Sequence, residues 1–292
     1  MTAASRFETF HENIVPTTAQ AEDARRKLDS VGRTLHNHYY DDPFDGQTVR
    51  LIGSYGKGTA VRPPRDVDIL FVLPNSLYER YKEYESNAQS QLLQDVKGVL
   101  QDHYSTTDKI RGDGQVVVVA FVGGHNVEVL PAWKTITGRY LVPDTHAGGS
   151  WKLVDQTAEM VNVDGSNLLS GGATRALIRM LKIWQRECAV PIKSLALELH
   201  VVDLLADRAG TTNDYAEYPT LLRDCFSRLA KSGGRSEALP GVDEQVDFGD
   251  LWVTKAESAE RRSARACEHE PAQEDRAAAS EWRKIFGVQY EF

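Results

Sequence analysis

No apolar run in this chain approaches the ~20 residues that a bilayer-spanning helix needs. No membrane span is therefore expected, although 41% of the 292 residues are hydrophobic. Cysteine is scarce: Cys188, Cys225 and Cys267 are widely scattered and odd in number. That excludes a disulfide framework and fits reduced thiols, and no Cys/His cluster has metal-ligand spacing. The opening MTAASRFETFHEN lacks the apolar core of a secretory signal, so a cytoplasmic location is expected. Positive charge is short as well. Against 42 Asp and Glu stand 34 Lys and Arg, a formal charge of −8. Proteins that hold long nucleic acids normally carry a basic footprint. Its lack favours a small-molecule substrate over a polymer template. There is no internal repeat.

What is present concentrates in one stretch, LIGSYGKGTAVRPPRDVDILFVL, from Leu51 to Leu73. A short apolar run, Val49 to Ile52, reads as a strand. Gly53-Ser54 breaks it, and Gly56 and Gly58 keep the backbone permissive. Such a turn can aim N–H groups at a phosphate; Ser54 adds a hydroxyl and Lys57 a positive charge. Pro63-Pro64 closes the segment. Next, Val67, Ile69 and Phe71 alternate with Asp66, Asp68 and Leu70, so a strand puts both aspartates on one face. Two ionised carboxylates side by side repel each other unless a cation sits between them. Hard Mg²⁺ prefers oxygen ligands and substrate phosphates, and a third carboxylate usually completes a two-metal site for phosphoryl displacement.

Glu128 is the candidate for that third acid. Gln115 to Val122, QVVVVAFV, reads as a buried strand, Gly123-Gly124 as a tight turn, and Asn126 to Pro131 as the returning strand of a hairpin. Glu128 is the only acid in this apolar segment, where an unpaired carboxylate would be costly.

The remaining pattern sets the organisation. A helix is expected from about Thr17 to about Tyr39. The core then reads strand, Gly-Ser turn, strand, helix from about Leu77 to about His103, and two strands: a mixed α/β sheet with helices on one side. Tyr140 to Gly172 reads as a Gly- and Asp-rich connector, with HAGGSW and NVDGSNLLSGG as loops. From Ala173 onward the chain reads as helical. Leu177, Leu181, Trp184 and Cys188 form an apolar stripe. Arg175, Arg179, Lys182 and Arg186 repeat on another face, either solvated or facing an anion. The following LALELHVVDLLA is apolar nearly all round. Ser194 at its start either caps the helix or bonds a phosphate.

GSYGKGT followed by DVDILFVL and VEVLPAW resembles the polymerase-β-like nucleotidyltransferase superfamily. More closely it resembles the bacterial relatives of cyclic GMP–AMP synthase and oligoadenylate synthase, the CD-NTases with a SMODS-type domain. LIRMLKIWQRE with IKSLALELH, Leu177 to His200, resembles that family's second-domain helix pair, and AAASEWRKIFG, Ala277 to Gly287, its C-terminal helix. Many members carry Asp where Glu128 stands; Glu ligates the same metal with one more methylene. The resemblance implies a mixed-sheet core over residues 1–165, a helical domain over 166–292, and an active site between two lobes. It implies two Mg²⁺ (or Mn²⁺) on Asp66, Asp68 and Glu128. It further implies NTP binding by Gly53, Ser54, Lys57, Lys182 and Ser194. The implied reaction joins NTPs into a cyclic di- or trinucleotide messenger that activates an effector in antiphage defence, with a regulatory protein partner possible. Linear oligonucleotide synthesis, transfer to another acceptor, or a catalytically dead nucleotide sensor are the competing readings.

Overall fold

A computed structural model describes residues 2–84, 86–105, 109–122, 124–208 and 210–291. In chain order it opens with α1 (Ala3–Ile14), α2 (Thr18–Tyr39), β1 (Val49–Leu51), the single turn α3 (Gly53–Gly56), β2 (Asp66–Val72), α4 (Asn75–Lys82) and α5 (Ala88–His103). There follow β3 (Ile110–Asp113), β4 (Val116–Val119), β5 (Asn126–Lys134), β6 (Tyr140–Asp144), β7 (Ser150–Val154) and α6 (Gln156–Leu169). The rest comprises α7 (Ala173–Glu187), α8 (Ser194–Ala206), α9 (Tyr218–Ala230), the small hairpin β8 (Ser236–Ala238) and β9 (Gln245–Asp247), α10 (Val253–His269) and α11 (Asp275–Phe286).

Two units result. The sheet unit holds residues 16–58 and 64–160; the helical unit holds 1–15, 59–63 and 161–292. In the sheet unit, β2 pairs in parallel with β5 and antiparallel with β1, while β5 pairs antiparallel with β4 and β6. β3 and β7 complete the mixed sheet. Alternation along β2 gives its two faces. Val67, Ile69 and Phe71, with Val127, Val129, Val117 and Val119, pack on Val31 and Leu35 of α2 and Leu92, Val96 and Leu100 of α5. The opposite face carries Leu70, Leu130, Ala132, Tyr140 and Val142 in a smaller apolar cluster. The two acid-bearing strands continue beyond that cluster on the same face.

The helical unit is built around Trp184, Phe226, Trp252, Trp282, Phe286 and Tyr290. A linear division at 165/166 places residues 1–15 and 59–63 with the sheet; in the structure they pack with the helices instead. Phe7, Phe10 and Ile14 of α1 are fully buried in this core. Arg6 donates to Glu270 at 2.6 Å and Asp275 at 3.1 Å. The 59–63 segment is drawn in by Val61 and by the Arg62 N–H, which bonds the Ile14 carbonyl at 2.7 Å.

Three expectations need correction. The helix over 77–103 is two helices, because Asn87 takes a left-handed φ of +58° just before α5, a conformation Asn tolerates better than most residues. The connector is not irregular: residues 140–154 pair as β6 and β7, and NVDGSNLL lies within α6. Asp155 starts that helix by accepting from Ala158 N at 2.8 Å, and Val163 anchors it in the helical core, which outweighs the roughly 1 kcal/mol cost of Gly165. Finally, the C-terminal part is helical except for β8 and β9. The expected Gly123-Gly124 turn falls partly outside the described residues.

Candidate active site

Parallel pairing aligns Asp66 with Asn126 and Asp68 with Glu128. Residues in register share a face, so the three predicted carboxylates stand together on the sheet face opposite α2 and α5. The same row continues across β4 and β3, from Glu128 to Val118 and on to Arg111. Asn126, two residues before Glu128 and on its face, donates its amide to Asp66 Oδ1 at 3.2 Å. Electrostatics records the crowding. The Glu128 carboxyl is pushed from 4.5 up to about 7, first by burial, then by Asp68 and Asp66, with a smaller push from Asp113 that Arg111 opposes.

The Gly53–Ser54 turn abuts these acids. Ile52 N donates to the Asp68 carbonyl at 2.9 Å. Gly53 has φ +56°, and a Cβ there would lie 2.0 Å from Asp68 Oδ2. Both the backbone angle and the missing side chain are thus required at this position. Lys57, 5% exposed, pairs with Glu159 of α6 at 3.2 Å.

Among the described residues no three His, Cys, Asp or Glu side chains are gathered into a ready-made ligand cage. The donor set nevertheless suits Mg²⁺. That ion is held by one or two carboxylates together with waters and substrate phosphates, not by an all-protein cage. The mutual repulsion expressed at Glu128 is what a cation would relieve.

Lys182 and Ser194 belong to the helical unit. Lys182, 7% exposed, donates to Glu198 Oε1 at 2.7 Å and to Thr59 Oγ1 at 2.9 Å. Its row is not a solvated face. Arg179 Nε donates to the Ala60 carbonyl at 3.2 Å, Arg186 to the Pro63 carbonyl at 3.0 Å, and Arg175 to Asp164 at 2.6 Å. Ser194 does not cap α8: Lys193 holds the N-cap position, and the Ser194 hydroxyl donates to Gln185 Oε1 at 3.1 Å. The structure thus brings together Asp66, Asp68, Glu128, Gly53 and Ser54. Sequence reasoning missed Asn126, Glu159 and Glu198. Glu198 had a legible signal, an acid near the start of a helix that is apolar nearly all round.

Residues 1–167, more than half of the chain, match the model of the Second Messenger Oligonucleotide or Dinucleotide Synthetase domain family, and the chain belongs to that family of nucleotidyltransferases. A protein described as a probable cyclic nucleotide synthase of Bacillus cereus is 22% identical over 99% of this chain and 98% of its own length. Among solved structures, Escherichia coli MS115-1 CdnC with ATP superposes with a TM-score of 0.75 at 17% identity, covering 99% of both chains. Bradyrhizobium diazoefficiens CdnG, a CD-NTase in complex with GTP, gives 0.72 at 13% identity over 99% of this chain and 96% of that one. These likenesses establish the mixed α/β fold. No described helix is long and apolar enough to cross a membrane.

Proposed function

We propose that this nucleotidyltransferase joins NTPs into a cyclic di- or trinucleotide messenger in a metal-dependent reaction. The observation that carries the reading is the register of Asp68 with Glu128, with Asp66 on the same face and the Gly53–Ser54 turn packed against Asp68. Mg²⁺ or Mn²⁺ on the three carboxylates supplies charge neutralisation at the attacking hydroxyl and at the leaving pyrophosphate. Asn126 orients Asp66. Ser54 donates to the triphosphate, and Gly53 lets the backbone approach it. Glu128, nearest the attacking ribose hydroxyl in this scheme, accepts its proton. Lys182 and Ser194 are proposed as further NTP contacts. For Lys182 this requires exchanging Glu198 for phosphate, one anion for another.

Relatives solved with ATP and with GTP support purine NTPs as substrates. A CdnC–HORMA complex among the similar structures supports a regulatory protein partner. Signalling to an effector in antiphage defence follows from the family reading. The test is incubation with every combination of four labelled NTPs and Mg²⁺ or Mn²⁺, with products identified by mass spectrometry. A phosphatase-resistant product without added acceptor supports cyclisation. A phosphatase-sensitive oligomer means a linear synthase, and pyrophosphate release excludes the catalytically dead sensor.

A further inference from the structure

Behind the Gly53–Lys57 turn lies a polar chain separate from the three carboxylates. Asp23 of α2 accepts from His125 Nδ1 at 2.7 Å. The other ring nitrogen, Nε2, meets the Tyr55 hydroxyl. Lys27, one helical turn after Asp23, donates to Asp23 Oδ2 at 2.9 Å and to the His125 carbonyl at 2.8 Å. Its ammonium also lies 5.1 Å from the centre of the Phe121 ring. His125 is 1% exposed, and a Cβ on Gly124 would lie 2.5 Å from Lys27 Nζ.

Chemistry sets the direction at Asp23. Burial acts to raise the Asp23 pKa, but the bonds from His125 and Lys27 bring it down to about 2. Asp23 is therefore an acceptor, and His125 carries a proton on Nδ1. With a neutral ring, Nε2 accepts and the Tyr55 hydroxyl donates. Burial and the charge of Asp23 push the phenol up to about 12, so that proton stays in place at neutral pH.

The connections matter more than the bonds. Tyr55 follows Ser54. His125 precedes Asn126, which holds Asp66. The helix carrying Tyr55 is four residues long, and a single helical turn is not stable without outside support. Besides the Lys57–Glu159 pair at its end, Asp68 fills the space beside Gly53, and His125 holds Tyr55.

We propose that His125, oriented by Asp23, positions the Ser54 hydroxyl through Tyr55 and so sets the affinity for NTP. This rests on the reading of Ser54 as a triphosphate contact. His125, Asp23 and Tyr55 are positioning residues; a preorganised turn spares the ligand the cost of ordering it.

The test measures ATP and GTP binding by titration calorimetry, with Ca²⁺ replacing Mg²⁺ to suppress turnover. Each variant is studied well below its own unfolding temperature. Tyr55→Phe is expected to weaken binding about tenfold, the effect of losing one buried hydrogen bond. His125→Asn keeps a donor towards Asp23 but does not reach Tyr55, and weakens binding equally. His125→Gln, whose amide oxygen reaches the place of Nε2, recovers most of the affinity. The double variant Tyr55→Phe/His125→Asn is no worse than either single one, because both break the same link. Packing alone predicts lower melting temperatures with unchanged Kd and no difference between Asn and Gln. Ser54→Ala separates the two levels. If it binds normally, the triphosphate assignment fails and takes this proposal with it. If it binds weakly while Tyr55→Phe and His125→Asn bind normally, only the positioning role is refuted.

Discussion

Neutralising Glu128 should stabilise the metal-free protein at alkaline pH, although it removes a proposed ligand. The Glu128 carboxyl titrates at about 7 in the fold instead of 4.5. The folded state therefore keeps a proton that the unfolded chain releases, and stability falls as pH rises from about 4.5 to about 7. Unscreened, that shift corresponds to about 3 kcal/mol. Glu128 is only half-buried, so solvent screening leaves about 1–2 kcal/mol. Glu128→Gln removes this term. In chelator, its melting temperature should match wild type near pH 4 and exceed it by roughly 3–6 °C above pH 7.5, given the usual few degrees per kcal/mol for a protein of this size. Added Mg²⁺ should reverse the order, because a cation that binds only the folded state stabilises wild type most. The assay is a thermal melt across pH 4–8.5, with chelator and with Mg²⁺. A Glu128→Gln variant that melts at or below wild type at pH 8 in chelator would show that the three carboxylates do not crowd one another.

Asp66→Asn with Asp68→Asn should abolish pyrophosphate release from NTPs while leaving the far-UV circular dichroism of wild type. Glu128→Asp, which restores the charge one methylene shorter, should keep substantial turnover where Glu128→Gln loses most of it. Lys182→Ala should cost about 3 kcal/mol in denaturant unfolding, since it leaves Glu198 buried beside a void. The pairwise change Lys182→Met/Glu198→Leu should recover much of that, and its NTP KM, if equal to wild type, refutes the phosphate role. Burial holds His11 and His200 at about 4 instead of 6.5. The folded state thus resists a protonation that the unfolded chain accepts, and the helical unit should lose stability as pH falls from about 6.5 to about 4, in the opposite sense to Glu128. His200→Asn should flatten that slope in a pH series of melts.

The acid-bearing face was legible because it depends on local rules. Period-2 alternation in DVDILFV puts both aspartates on one side, and a lone Glu in an apolar strand demands a reason to be there. Helix α7 was legible for the same reason, since the apolar spacing of Leu177, Leu181 and Trp184 is a local signal. What failed was non-local. Nothing in SRFETFHEN says that Phe7 and Phe10 pack with Trp282 and Phe286, nearly three hundred residues on. The run NVDGSNLL contains Gly, Asn and Ser, which local propensity assigns to loops; burial of Val163 overrides it.

The charged residues show the limit most clearly. An exposed-looking row of Arg175, Arg179, Lys182 and Arg186 has the spacing of a solvated face, yet its partners are carbonyls and acids, several of them in the 59–63 segment. Helical spacing tells which residues share a face. It does not tell what that face meets, because the segment that meets it lies more than a hundred residues away in sequence. The same holds for Lys57, whose partner Glu159 is 102 residues on. A lysine in a Gly-rich turn reads as a phosphate ligand; a lysine 5% exposed and paired with glutamate reads first as a clamp on the turn that bears Ser54. Glu159→Gln distinguishes the two. If Lys57 binds phosphate, removing its competing anion should lower the NTP KM. If Lys57 is a clamp, loosening it should raise the KM, as a displaced Ser54 would.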